Sequence, residues 1–201
     1  MKKLLVLLLA LLLPFAALAE LDEDGDVVVT LTGVEFFFTP PEDAFLLSRE
    51  SSASEFTALG LSQREFLPWM EAYDIYALLF DGEISWEMQV MAYPVEYGDY
   101  TDLEGYGLQR ECDSMAYSYR DQGYEVISCE VYDAPEGHRF VCVQAVYVDD
   151  EGVREPLVEY FTVRGGYAVS LCLFSYLEEM TEADLALAQA VADSLWIMPV
   201  R

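Results

Sequence analysis

Four cysteines, one histidine and 37 acidic residues are the groups in this chain that could do chemistry. Cys112, Cys129, Cys142 and Cys172 allow three pairings if oxidised. Their spacing contains no C-x-x-C and no neighbouring histidine, so no metal site is expected. His138 follows a Pro-Glu-Gly turn and is expected to be wet. A Ser-His or Cys-His pair needs a shielded nucleophile and a group that orients the base, and nothing local supplies either. No catalytic residue is assigned. Two carboxylates about 5–9.5 Å apart could hydrolyse a glycoside, but among 37 acids coincidental pairs are certain. Glu159 stands apart because it falls between apolar neighbours, on the face expected to carry Cys142 and Cys172. A buried glutamate has a raised pKa and marks a site; the simpler expectation is pairing with an arginine, or a face that is open there.

A second candidate is a tyrosine-rich region between Tyr93 and Tyr124. Tyr97, Tyr100 and Tyr106 are its speculative binding residues, with Tyr117 and Tyr119 beyond them. Flat apolar rings with polar tips, set beside carboxylates, suit a carbohydrate or peptide groove. Ordinary half-buried packing is the alternative.

These groups must be held by the stretch from residue 123 to 196. It reads as four strands over 124–133, 139–148, 157–164 and 167–174, then an amphipathic helix with Thr181 as N-cap. Leu185, Ala188, Val191 and Leu195 form the helix stripe, with Trp196 at its end. Gly165-Gly166 is a two-residue hairpin loop. The strands carry apolar residues at both odd and even positions, so both faces need cover. The fold class expected is α+β, an antiparallel sheet flanked by helices on both faces in three layers.

A four-residue loop at 134–137 would place Asp133 opposite His138 and Cys129 opposite Cys142. That register allows a Cys129–Cys142 bridge. Cys172 would lie two strand spacings from Cys142, about 9.5 Å, so Cys112 on a covering helix is its better partner. The expected pairs are Cys129–Cys142 and Cys112–Cys172, with four reduced, buried thiols as the alternative.

Upstream, strands are expected at 27–32, 34–39 and 44–48, and residues 51–59 could form a helical turn. A capping box at Ser62–Glu65 opens a helix to about Tyr73 that Pro68 should kink or delay. Asp81-Gly82 joins strands at 75–80 and 83–93. A second capping box at Thr101–Glu104 opens a helix reaching about Gln122.

Residues 1–19 read as a signal peptide: Lys2-Lys3, an apolar run over 4–13, and Ala17-Leu18-Ala19 as the cleavage site. The apolar stretch is short for a spanning helix and Pro14 interrupts it. Residues 20–26 form an acidic linker. Its LDEDGD resembles a calcium loop, but position 12 of that loop would be Leu31. Residues 27–201 suit one domain. The mature chain is expected to be secreted or extracytoplasmic, without membrane insertion. The formal net charge is −27, and removing the two lysines of the leader takes it to −29. Such a polyanion repels nucleic acid and anionic lipid. The acidity serves solubility in one reading, and cation binding or a basic partner in another.

The order of elements resembles the PsbP-like α/β/α sandwich. The likeness is carried by Tyr160-Phe161-Thr162-Val163, Gly165-Gly166-Tyr167, the final Asp193-Ser194-Leu195-Trp196, and an early Phe37-Phe38-Thr39-Pro40-Pro41. The resemblance implies an antiparallel sheet between helix layers, and a role in binding partners rather than catalysis. No cofactor is expected. Three functions follow as expectations: an exported, non-enzymatic interaction module with a protein partner in the envelope or outside the cell; a small-molecule or glycan-binding protein using the tyrosine-rich surface; and, last, a carboxylate-dependent hydrolase.

Overall fold

The structure, a computed structural model, describes residues 18–103 and 106–200. The signal-peptide expectation covers residues 1–19, of which 1–17 lie outside the described residues; Leu18 and Ala19, expected to end the leader, open the first strand, Leu18–Leu21, and Ala19 is buried in the core. Among the described residues the chain forms eleven strands and four α-helices in two wholly antiparallel sheets.

The smaller sheet has the order β1-β2-β3-β11, from Leu18–Leu21, Val27–Leu31, Val34–Phe38 and Trp196–Pro199. Burial alternates strictly along β2 and β3. Val27, Val29, Phe36 and Phe38 point inward, as the period of two requires when one face is wet. Two expectations change here. Glu20 and Leu21 belong to β1 rather than to a linker, and only residues 22–26 form the acidic turn, in which Asp22 Oδ1 accepts from the amides of Asp24 and Asp26. Trp196 opens strand β11, opposite Phe37, instead of ending the last helix.

The larger sheet has the order β4-β5-β6-β10-β9-β8-β7. Its strands are β4 (Phe45–Ser48), β5 (Ile75–Phe80), β6 (Trp86–Pro94), β7 (Glu125–Asp133), β8 (Arg139–Val148), β9 (Arg154–Arg164) and β10 (Tyr167–Ser175). The four C-terminal strands form the meander that the sequence indicates. Gly165 and Gly166 both take positive φ, and Arg164 pairs Tyr167 directly across them. The Asp81-Gly82 loop is longer than expected. Asp81 accepts from the Ser85 amide and hydroxyl at 2.6 Å each, closing residues 81–85 before β6 begins.

Both faces of the larger sheet are buried over its central strands, though edge strand β7 carries no buried residue, and they are covered by different means. Cys142, Tyr160, Leu171 and Val90 form one cross-strand row, and their face packs on the smaller sheet and on α4 (Glu182–Ser194). The next row, Val143, Glu159, Cys172 and Gln89, faces the other way. That face lies under α1 (Ala53–Ala58), α2 (Gln63–Ala72) and α3 (Gly107–Asp121). The α+β class and antiparallel pairing stand; one outer layer is a sheet with a single helix rather than helices alone. The side-chain-bonded N-caps also move. Ser52 and Glu55 make a full capping box for α1, whereas the Ser62 side chain makes no cap bond to α2. Pro68 sits inside α2. The helix expected from Thr101 starts at Gly107, after a 3-10 turn at Tyr100–Asp102.

The β7–β8 register corrects the cysteine pairing. Asp133 faces Arg139, leaving five loop residues, with the Ala134 amide donating to the His138 carbonyl. The extra residue slips the pairing by one, and a one-residue slip turns a side chain to the opposite face. Cys129 therefore faces Val143, while Cys142 points to the other side of the sheet. The disulfide is Cys112–Cys129, tying α3 to edge strand β7 with Cα atoms 5.9 Å apart. Cys142 and Cys172 are free. The expected Cys129–Cys142 and Cys112–Cys172 pairs do not form. Peptide mapping without reductant is expected to recover one linked peptide pair, joining Cys112 to Cys129. Cys172 should alkylate only after unfolding, and the half-buried Cys142, its thiol raised to about 11, only slowly before it. Recovery of either expected pair would contradict this register.

His138 is not wet. It is 2% exposed, and its ring stands edge-on to Trp196 at 5.8 Å, between the two sheets. Its Nδ1 is buried without a hydrogen-bond partner. Burial, and then the nearby Arg164 charge, push its pKa down to about 4. Protonation thus favours the unfolded chain, where a histidine titrates near 6.5. The stability held by the neutral ring is complete above pH 6.5 and is lost as pH falls from there toward 4. Between pH 7.5 and 4.5, the native chain should lose about 2–3 kcal/mol more than a His138→Phe variant in urea unfolding. Comparison with the variant cancels carboxylates that titrate in the same range.

Candidate functional site

Helix α2 lies over β5 and helix α3 over β7 and β8, at opposite ends of the same sheet face. Between them, over β6 and β10, the helical cover is incomplete and a cavity of about 420 Å³ opens. One wall is α2, which presents Glu65, Phe66 and Trp69. The spacing of one turn places Glu65 and Trp69 on one side of the helix. Phe66 and Trp69 meet edge to face at 5.7 Å, and Phe66 is braced from behind by Phe56 at 6.3 Å.

The floor is strand. Glu87 and Gln89 are two apart on β6 and share a face, while Met88 and Val90 between and beyond them point into the core. Phe174, paired with Glu87 across the β6–β10 ladder, adds an aromatic surface. Tyr176 and Glu155 complete the rim. Glu87 is 7% exposed, and both of its oxygens are engaged. Gln89 Nε2 donates to one at 2.7 Å and the Tyr176 hydroxyl to the other at 2.8 Å. Both donors are neutral. Among the described residues the ion pairs are Arg139–Asp133 and Arg154–Glu125, so Glu87 has no basic partner there.

One row along the same face lies a second buried glutamate. Glu159 accepts from the Ser170 hydroxyl at 2.5 Å and the Tyr119 hydroxyl at 2.6 Å. Burial holds its carboxyl above the usual range, against the lowering pull of both hydroxyls. The Tyr119 hydroxyl is pushed well up by burial and by Glu159. Cys172, facing Glu159 across the β9–β10 ladder, has a thiol that burial raises well above its ordinary value. A thiol held protonated is a poor nucleophile. The knot is closed beneath α3 and forms no part of the cavity lining. The expectation for Glu159 is thus corrected: neither an arginine nor open water meets it, and Cys142 is on the far face, where burial raises its thiol to about 11.

The three tyrosines singled out from the sequence do not form one site. Tyr100 is 2% exposed and packs edge to face on Phe161, so it belongs to the core. Tyr97 is half-exposed and Tyr106 almost wholly so, at the start of α3. The residues that line the cavity are not among those the sequence singles out, though a signal for them exists. In Trp86-Glu87-Met88-Gln89-Val90, two polar residues occupy one face of an otherwise buried strand. Such a pair marks a place where cover stops. Among the described residues, no group of three or more His, Cys, Asp or Glu side chains is arranged to hold a metal. No helix there is long and apolar enough to cross a membrane.

No protein-family model matches the chain, and no curated protein does. Among solved structures, it is similar to the solution structure of cyanobacterial PsbP from Synechocystis sp. PCC 6803. The identity is 14% over 92% of this chain and 95% of that one, with a TM-score of 0.49. It is also similar to a protein from Bacteroides thetaiotaomicron VPI-5482, at 10% identity over 80% of this chain and 44% of that one, TM-score 0.42. A protein of unknown function from Pseudomonas aeruginosa matches at 10% identity over 80% of this chain and 86% of that one, TM-score 0.34. The first of these is a PsbP protein, from the family the sequence resembles.

Proposed function

We propose that the chain is an exported, non-enzymatic binding module whose site is the cavity between α2 and strands β6 and β10. The observation that carries this reading is the cavity itself: about 420 Å³, walled by four aromatic rings, over strands whose neighbours β5 and β9 are buried. Ligand sites are concave, mostly apolar, and oriented by a few fixed polar groups. Here the fixed groups are Glu87 and Gln89. A volume of this size takes a small molecule or a single projecting side chain, not a folded surface.

Three features support the rest of the reading. Both Glu87 oxygens are held by neutral donors, which fixes the position of the carboxyl group at the cavity floor. Export is supported by the leader-like residues 1–19 and by a Cys112–Cys129 bridge of the kind that persists outside the cytoplasm. The layer order, helices on one face and a four-stranded sheet with α4 on the other, supports a PsbP-like sandwich with a strengthened outer layer.

The test is a two-dimensional NMR titration with 2-phenylethanol, a neutral probe of suitable size. Shifts should concentrate on α2, β6 and the end of β10, and Trp69→Ala should abolish them. Shifts centred on Tyr97 and Tyr106 would favour the tyrosine-rich surface instead. No localised shifts would remove the cavity from consideration.

A further inference from the structure

We infer that the ligand of this cavity is an organic cation: an ammonium or guanidinium group carried on a compact apolar body. The inference rests on the cavity being the binding site.

Charge and shape point the same way. The charged side chains lining the cavity are Glu65, Glu87 and Glu155, and no basic side chain lines it. An anion entering there would meet three formal negative charges and nothing to offset them. A neutral ligand would close the cavity over Glu87 and leave that buried carboxylate without a countercharge, which is costly in a low-dielectric site. A cation offsets the charge that the protein's own residues leave unpaired. The walls fit the same guest. Phe66, Trp69, Phe174 and Tyr176 offer aromatic rings, whose faces carry the negative end of the ring quadrupole and attract cations within about 6 Å. The protein already uses this contact internally, with the Arg49 guanidinium 4.1 Å above the Tyr76 ring.

The walls also separate an organic cation from a metal ion. Calcium takes 6–8 oxygen ligands and magnesium near-ideal octahedral oxygens. Four hydrocarbon rings supply none, and they would strip water from a hydrated ion without replacing it. An alkylammonium, weakly hydrated over its carbon surface, loses little on entering. The whole molecule then helps delivery, because a net charge of −27 raises the local concentration of cations and speeds their encounter.

One chemistry has two sources: a free small cation, or a lysine or arginine side chain projecting from a protein partner. Three probes distinguish them: choline, the neutral isostere 3,3-dimethylbutan-1-ol, and the peptide acetyl-Gly-Lys-Gly-amide. Each is titrated into the folded chain by calorimetry, with NMR shifts mapping the site. Choline or the peptide should bind at the cavity on the order of tenfold more tightly than the neutral isostere. That preference should shrink on raising salt from 20 mM to about 0.5 M. Glu87→Gln keeps the shape and should remove most of the preference, bringing choline and its neutral isostere to similar affinity. Glu65→Gln, on the exposed side of α2, provides a second and smaller loss in a variant whose fold is not at stake. Choline ahead of the peptide identifies a free cation; the reverse order identifies a side chain of a partner. Equal affinity for choline and its neutral isostere at the cavity overturns the cation while leaving the cavity as the binding site. Absence of any probe from the cavity overturns both.

Discussion

A sheet that is apolar on both sides cannot stand in water, and the layout of this molecule follows from that constraint. Strand β9 has eight consecutive buried residues, from Pro156 to Val163, and β10 has six, from Ala168 to Leu173. No single layer can dry both faces. The chain solves one side with a four-stranded sheet whose alternating Val and Phe residues meet the larger sheet over a broad area, with α4 filling the remainder. It solves the other with three helices. Two sheets match each other's extent well, whereas helices meet a sheet along narrow stripes. The helical side is therefore where a gap can persist, and the gap between α2 and α3 is the cavity. Its position is a by-product of how the cover is divided, and the residues that surround it suit it to a guest.

The sequence makes the sheet legible because burial leaves a direct trace in composition. The meander, the Gly165-Gly166 hairpin, the edges of β8 and the N-cap of α4 can be read residue by residue. Apolar residues at both parities in 124–174 state that both faces are dry. They do not state what dries them, since the apolar alternation of residues 27–38 fits a strand of the main sheet as well as a strand of a second one. Trp196 shows the same limit. It ends a helical stripe by spacing, yet Leu195 leaves the helix and Trp196 pairs with Phe37. Pairing between segments about 160 residues apart has no local signature.

Register was the other blind spot, and it turned on a single residue. Whether His138 closes the loop or opens β8 looks the same in the sequence, because histidine is at home in either place. The structure puts it in the loop, buried against Trp196, and the β7 residues from Ser128 to Asp133 change partner as a result, until a bulge before Ser128 restores the expected register for Glu125 and Val126. The cysteines then re-sort by face. Cys129 turns toward α3 and meets Cys112, Cys142 turns toward the smaller sheet, and Cys172 stays near the centre with Glu159 beside it. The bridge now fastens an edge strand to the helix above it. β7 lies at the rim, where a strand has only one neighbouring strand, and the bridge adds a covalent tie to the helix above it.

The two buried glutamates show why the candidate site could not be read from residue type alone. Glu87 and Glu159 lie on one face, in adjacent cross-strand rows, and each accepts from one tyrosine hydroxyl and one further neutral donor. In the sequence Glu159 is the more conspicuous, because its neighbours are more apolar. Its surroundings answer its hydrogen-bonding needs under α3, and burial lifts its pKa, so that it serves as a polar tie between helix and sheet. Glu87 sits one row away, where the helices part, and its carboxylate borders open volume lined by aromatic rings. The same side chain is a polar tie under a helix in one row and borders an open cavity in the next. What separates them is whether a helix passes overhead, which is set by the packing of α2 and α3 and not by any feature local to either glutamate.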